Sequence, residues 1–243
     1  MKLTAARPLA FSTLALATLA LATLTLGAIA LPGPVHAADC GEGAEPRVDW
    51  SGCRKRSVII SGSDLRQARL AGTDFMGSDL RRIRMDGADL TKAQLTRTNL
   101  SGSSAAKARF EKAQGSRADF SRMNLQGSDF SKADLSRVTF AGSDLSGATL
   151  RKGEFSRADF RGAKVAGADI SFANLNRADF TGANLDGVNL QTSWLYRAVF
   201  DDADLSGAKG LTPEQLASTC GNAGTKLPAG LSPPAEWPCG ADD

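Results

Sequence analysis

Histidine is all but missing from this 243-residue chain: His36 is the only one. That removes the usual general base and the commonest metal ligand from any catalytic reading. No G-x-S-x-G stretch occurs, and no G-x-x-x-x-G-K-[ST] or G-x-G-x-x-G loop, so a nucleophile elbow and a glycine-rich phosphate cradle are both excluded. Aromatic residues make up only 6% of the chain, with a single tyrosine, Tyr196. Neither sign of charge dominates: 29 Lys plus Arg face 26 Asp plus Glu, a net +3. None of the four cysteines stands in C-x-x-C spacing, the usual mark of a structural zinc site. An enzyme is not expected, nor a resident cofactor or metal.

What the chain does have is a period of five. From Leu65 to Leu205 every fifth residue is Leu, Phe, Met, Ile or Val, except Ala105 and Gly115. This matches neither a helix at 3.6 nor a plain strand at 2, and fixed-period self-similarity marks a repeat architecture. Two residues before each large centre the side chain is small or apolar, as at Ala88, Ala93, Ala158 and Ala163. Directly before the centre it is polar, as at Asp79, Asp89, Asn99, Asp119 and Asp134. Small, polar, large reads as in, out, in, which is strand alternation. The next two residues are polar or glycine and supply a turn. A short extended piece and a tight turn, repeated, make the chain wind.

Units such as Ala118-Asp119-Phe120-Ser121-Arg122 and Ala133-Asp134-Leu135-Ser136-Arg137 resemble the pentapeptide-repeat family, whose pattern is A-[DN]-L-x-x. The resemblance covers about thirty consecutive units over 58–207. It implies an all-β fold, a right-handed quadrilateral parallel β-helix with four pentapeptides per coil. That predicts about 7.5 coils over 58–207 and a rod about 36 Å long at the spacing of stacked strands.

Residues 1–37 read as a signal peptide, with Lys2 and Arg7 before an apolar stretch at 9–31 and a small-residue site at Val35-His36-Ala37. An uncleaved membrane anchor is the alternative. Cleavage would leave 206 residues with no histidine, and 27 basic against 26 acidic side chains. It would place the protein in the periplasm or outside the cell, with no membrane span left. Cys40, Cys53, Cys220 and Cys239 lie outside the repeats, and an even count in an exported chain reads as disulfides. The rod's ends are too far apart for a bridge, which favours Cys40 with Cys53 and Cys220 with Cys239. An N-terminal cap is expected at 38–57, with Trp50 and the first disulfide as its lid, because a solenoid must cover its exposed ends. A C-terminal cap is expected at 208–243. There Thr212, Pro213 and Gln215 announce a short helix at 213–219, followed by a proline-rich tail. The tail resembles those that often follow such repeats in exported bacterial proteins.

Four units per coil place residues twenty apart in one column. One inner column reads Leu80, Leu100, Phe120, Phe140, Phe160, Phe180, Phe200 and suits ring stacking. Ala105 and Gly115 share a coil, which is therefore the expected weak point unless Phe110 and Phe120 fill the space. Outside, one column carries Arg97, Arg117, Arg137, Arg157, Arg177 and Arg197, and the preceding one Lys92, Lys112, Lys132 and Lys152. Like charges about 5 Å apart repel. The sequence offers neutralising pairs two residues on, as in Arg117 with Asp119, Arg157 with Asp159, Arg177 with Asp179, Lys132 with Asp134 and Lys152 with Glu154. These ladders read either as a neutralised, solvated lattice or as an anion-binding strip. Phe172, Trp194 and Val199 replace polar residues at outward positions, beside Tyr196, and predict an exposed apolar patch that the tail or a partner covers. Asp201, Asp202 and Asp204 form a weak calcium candidate.

The expected function is a non-enzymatic structural or interaction module of the bacterial envelope, as monomer or homodimer, presenting its regular surface to a protein partner. The alternative is a polyanion-binding protein that uses the Arg and Lys ladders. A third reading follows from the resemblance, since some family members imitate DNA and modulate topoisomerases. Their rods are strongly acidic, whereas this chain is near neutral, cationic in its outer columns and preceded by a signal. Sequence-specific nucleic-acid reading is not expected, because the cationic columns lack interleaved aromatics apart from Trp194 and Tyr196.

Overall fold

The computed structural model describes residues 38–237. The expected signal peptide at 1–37, and Cys239, lie outside the described residues. Among the described residues the winding is regular to a degree few folds allow. Each pentapeptide contributes one bridge residue, the polar one before the large centre, and it pairs in parallel with the residue twenty further on. Asp49 pairs with Arg69, Arg69 with Asp89, and so on to Asn189 with Lys209. A pairing interval of twenty residues means four pentapeptides per turn, hence a four-sided parallel β-helix. The bridges remain isolated: no side is long enough to form a multi-residue strand, because a corner follows every third extended residue.

Three backbone bonds per unit hold the coils together. Around Leu70, the Asp89 N–H donates to Ala68 O (2.9 Å), the Leu70 N–H to Asp89 O (2.7 Å), and the Gly72 N–H to Thr91 O (2.8 Å). Most corners are turns closed by the bond from the third residue after the centre back to its carbonyl, as in Ala68 N–H to Leu65 O (3.1 Å), while the N–H groups of Val58, Ile83 and Met123 donate to the hydroxyls of Ser78, Ser103 and Ser143 in the next coil. From Trp50 to Phe200 the second residue after each centre takes positive φ, from 52° at Ser57 to 77° at Gly62, as type II turns demand.

The core is two inward residues per side. The expected phenylalanine column stacks: Phe140 on Phe160 at 5.1 Å, Phe160 on Phe180 at 4.6 Å and Phe180 on Phe200 at 5.3 Å. Phe110 and Phe130 stack at 4.5 Å on the opposite side and meet Phe120 edge-on. The coil holding Ala105 and Gly115 is therefore filled. At Gly115 the space is so closed that a Cβ would lie 2.6 Å from Leu135 Cδ2 and 3.2 Å from Leu95 Cβ. Inward hydroxyls are satisfied by the coil below, as in Thr98 Oγ1 to Phe75 O (2.8 Å) and Ser143 Oγ to Phe120 O (2.6 Å).

At the N-terminal end the coil begins earlier than the cap assignment of 38–57. Asp49 and Arg54 already bridge, so the register runs eight turns from Asp49 to Lys209 instead of 7.5. Trp50 is thus the first large centre, buried and facing Phe75, and not the lid. The lid is 38–47: Cys40 and Cys53 are bonded, Glu42 O accepts from Trp50 Nε1 (3.2 Å), and Lys55 Nζ sits 3.9 Å above the indole.

At the other end, helix α1 (Pro213–Ala217) is shorter than 213–219 but starts as expected, with a capping box between Thr212 and Gln215. Gln215 Nε2 also donates to Leu190 O (3.2 Å) and Ser193 O (2.8 Å), capping carbonyls of the last coil. Beyond α1 the tail resumes the coil: Val199 pairs with Cys220 and Asp204 with Lys226. Trp237 then closes over Gly221 and donates from Nε1 to Thr219 O (2.8 Å). Cys220 is disulfide-bonded; Cys239, its expected partner, lies outside the described residues. Among the described residues no helix is long and apolar enough to cross a membrane.

Candidate functional site

The two cationic columns border a single side of the rod. Within one turn the order is Lys92, inward Ala93, Gln94 at the middle, inward Leu95, then Thr96 and Arg97 at the next corner. The lysines therefore line one edge and the arginines the other. Each arginine is fixed at its corner by its own backbone. The N–H of Arg97 donates to Ser116 O (3.2 Å), that of Arg117 to Ser136 O (3.1 Å), and that of Arg137 to Ser156 O (2.9 Å). Arg157, Arg177 and Arg197 donate likewise to Asn176, Tyr196 and Ser218 (2.9, 2.8 and 2.6 Å). Guanidinium roots and residues bearing a hydroxyl, or at Asn176 an amide, therefore climb together, one of each per coil, at about 4.8 Å per step. All six arginines hold positive φ, between 56° and 59°.

The expected neutralising pairs are not formed. Among the described residues none of the six arginines is in an ion pair, and of the four lysines only Lys112 is, with Glu111 at 3.0 Å. The reason lies in where each acid points. The carboxylate before a centre accepts from the backbone N–H after it, an Asx-type turn. Asp119 accepts from Ser121 N–H (2.9 Å), Asp179 from Thr181 N–H (2.9 Å) and Glu154 from Ser156 N–H (3.1 Å). The acids thus lean forward along their own side, away from the arginine behind them at the corner. Ion pairs form where that geometry allows. Arg161 clasps Asp159 across Phe160 (2.7 Å), and Arg84 reaches Asp64 one coil below (2.8 Å). Burial pushes the Asp159 carboxyl up, but the Arg161 guanidinium and N–H outweigh it and hold it below the usual carboxylate range.

The corner is also shaped. Thr96, Arg97, Ser116, Arg117, Ser136 and Arg137 line a groove of about 300 Å³ running along three coils. The hydroxyl column beside the arginines was not singled out from sequence, although its spacing of twenty makes it legible there. Higher up, Asn176, Tyr196 and the partly exposed Arg197 continue the two columns. Arg197 Nη2 is buried without an acceptor.

The expected apolar patch is partly covered. Val199 is paired with Cys220 of the tail and half-buried. Phe172, 42% exposed, lies under two cations, Arg151 at 4.6 Å and Lys152 at 5.9 Å. Trp194 and Tyr196 remain open, at 63% and 55% exposed, on the same side of the rod as the arginine edge. Trp194 stands between two shallow grooves of about 430 and 570 Å³, both reaching Gln215 of α1. Ile59, 78% exposed at the matching outward position of the next side round, escaped the sequence reading. No group of three or more His, Cys, Asp or Glu that could hold a metal occurs among the described residues, the trio at 201, 202 and 204 included. Ser206, through its hydroxyl and its N–H, and then Lys226 hold Asp204 down at about 2, while burial and the neighbouring Asp202 and Asp179 raise Asp201.

The family model described as a pentapeptide repeat region matches residues 73–150 and 113–190. No curated protein matches the chain. Among solved structures it is similar to HetL, a pentapeptide repeat protein involved in heterocyst differentiation regulation from the cyanobacterium Nostoc sp. strain PCC 7120. The identity is 24%, covering 71% of this chain and 84% of that one, with a TM-score of 0.48. A pentapeptide repeat protein of the Arabidopsis thaliana thylakoid lumen is 28% identical over 48% of this chain and 81% of its own, with a TM-score of 0.36. A second Nostoc PCC 7120 pentapeptide repeat protein is 31% identical over 48% and 78%, with a TM-score of 0.15.

Proposed function

The chain belongs to the pentapeptide-repeat family, and from that premise we propose that it is a non-enzymatic interaction module, exported to the bacterial envelope, whose binding edge is the arginine column. The family is often one of interaction modules. One observation carries the choice of edge: six guanidinium groups stand in register without an ion pair, while carboxylates elsewhere on the rod are engaged with other arginines. A lattice meant only to stay soluble would neutralise its longest cationic ladder, because aligned like charges repel. A strip meant to take an anion leaves it open, and the charge-assisted, bidentate bonds that arginine makes with carboxylate or phosphate then supply the affinity. Export rests on the reading of residues 1–37 and is a proposal of the same standing.

The test uses oxidised protein beginning at Ala38, passed over immobilised polyanions at low and moderate salt, beside a variant with Arg117, Arg137 and Arg157 changed to Gln. Binding that falls steeply with salt and vanishes in the variant is the expected result. Equal retention of both proteins, or of neither, overturns the assignment of the edge. Export is checked separately by expressing the full chain in a bacterium and sequencing the N-terminus of the protein recovered from the periplasm and medium. Retention of residues 1–37 in the cytoplasm refutes it.

A further inference from the structure

The arginine edge does not end in open solvent. It runs into Trp194 and Tyr196, two strongly exposed rings on the same side of the rod. Trp194 takes the outward place that Asn174, Glu154 and Asp134 hold in the coils below, and Tyr196 takes the place of Asn176, Ser156 and Ser136. Two polar positions of one coil have therefore been exchanged for flat, strongly exposed rings, with Phe172 a third and less exposed ring one coil below, where a repeat protein has every reason to stay polar. Asn176, Gln191 and Thr192 line the two grooves beside Trp194, with the Glu214 carboxylate at the rim of one and the Gln215 amide committed to carbonyls of the last coil. The Asn176 side-chain oxygen is already committed, accepting from Tyr196 N–H (3.0 Å), which fixes the tyrosine's place. Arg197, next to Tyr196, keeps a guanidinium nitrogen with no acceptor.

An exposed indole and phenol rimmed by amides and hydroxyls is chemistry that suits a sugar ring, whose C–H face stacks on aromatic carbon while its hydroxyls bond to the rim. The coils below suit acidic sugars. Each offers one guanidinium for a carboxylate and one Ser, Thr or Asn for a hydroxyl, and the step between them is about 4.8 Å. Two such steps are close to the length of two pyranoses, over which an extended chain of alternating rings returns a carboxylate to the same side. Other linear anions fall out of step. An extended polypeptide brings carboxylates to one face only every second residue, about 6.6–6.8 Å apart. Stacked nucleotides advance about 3.4 Å per phosphate along a strand, and single-stranded nucleic acid wants a ring beneath each base, which the strip lacks.

Resting on the reading of the edge as an anion site, we infer that the ligand is an acidic polysaccharide, a chain of uronic acid units. It lies along the arginine corner with one terminal ring stacked on Trp194 and Tyr196. The arginines hold its charge, the hydroxyl column keeps its register, and the aromatic pair decides where the chain ends.

The experiment compares four probes of similar length on the oxidised protein beginning at Ala38: oligogalacturonate, polyglutamate, polyphosphate and single-stranded DNA. Each is titrated at one salt concentration against the parent, a Trp194→Ala variant, a Trp194→Gln variant and the triple Arg→Gln variant. Both Trp194 variants should melt with the parent, since the ring is exposed. Oligogalacturonate is expected to bind at least tenfold more tightly than the other probes and to lose about tenfold with either Trp194 variant. The triple arginine variant should abolish it. If polyglutamate, polyphosphate or DNA binds as tightly as oligogalacturonate, or if both Trp194 variants bind it unchanged, the polysaccharide inference is wrong while the arginine edge stands. If no probe binds the parent, both fall together.

Discussion

At a left-handed corner the choice of residue is a choice between ease and use. Glycine takes positive φ freely, whereas an L-residue there is disfavoured by roughly 1–2 kcal/mol. The chain uses glycine at many of its corners, as at Gly142, Gly147, Gly162 and Gly167, yet puts arginine at six successive turns of one corner. Other corners also carry non-glycine residues at positive φ, Lys107 and Thr192 among them, so the unbroken run of one residue type, and not the strain itself, marks this corner. Replacing Arg137 by Gly should therefore stabilise the rod by about 0.5–1 kcal/mol, after the extra unfolded-state entropy of glycine is set against the relieved strain. Arg137→Gln, which keeps a long side chain and the strain, should leave stability within about 0.5 kcal/mol. Denaturant midpoints of the three proteins decide it, and a loss of stability in the glycine variant refutes the strain argument. Gly115 is the opposite case. It stands where the repeat asks for a large residue, so Leu would look like a repair. Leu135 and Leu95 already close over the site, and Gly115→Leu should destabilise by about 1–3 kcal/mol through overpacking. A higher midpoint would mean that a void exists after all.

Both ends of the coil are built as elements that finish its hydrogen bonding. The N-terminal lid depends on one disulfide, on Glu42 O and on Lys55 above Trp50; the C-terminal one depends on α1, on Trp237 over Gly221, and on Lys226 paired to Asp204 at 3.0 Å. That last pair makes the tail sensitive to acid. Bonds from Ser206 and Lys226 hold the Asp204 carboxyl at about 2, below its ordinary value of 3.8. A depressed carboxylate contributes fully above its unfolded value and loses the contribution as pH falls toward its folded one. The melting temperature of the parent should thus exceed that of Asp204→Asn at pH 6 by an amount worth under about 1 kcal/mol. The gap should close between pH 3.8 and about 2; a gap unchanged at pH 2 would rule the carboxylate out. What the sequence made legible here was whatever the period of five controls: four units per turn, the phenylalanine column, the capping box at Thr212 and Gln215. What it hid was direction. Asp119 and Arg117 are two residues apart and so are Asp159 and Arg161, but in the first pair the arginine lies behind the acid, at the corner before its side, and in the second it lies ahead, at the corner toward which the carboxylate leans. Spacing alone could not tell them apart. Nor could it show that Trp50 is a coil centre, because Lys55, the centre after it, is not apolar.

A stacked rod distributes its work along one axis, with each coil touching only its neighbours, so a ligand that spans coils should read the strip rung by rung. The molecule as a whole is close to neutral, with 29 basic and 26 acidic side chains, and long-range steering by net charge contributes little. Attraction must come from the local alignment of unpaired guanidiniums. This separates two explanations of any polyanion binding that is found. If general basicity were responsible, removing three positive charges anywhere would weaken it equally. If the strip is responsible, position decides. Lys107, Lys164 and Lys209 are exposed and stand away from the arginine corner. A variant with all three changed to Gln has the same net charge as the variant lacking Arg117, Arg137 and Arg157. On a phosphate polyanion the arginine variant should flatten the slope of log affinity against log salt by about one for each phosphate left without its guanidinium. The lysine variant should keep the parent slope within about half a unit on that scale. Equal slopes for the two variants would assign the binding to bulk charge and leave the arginine column without a function of its own.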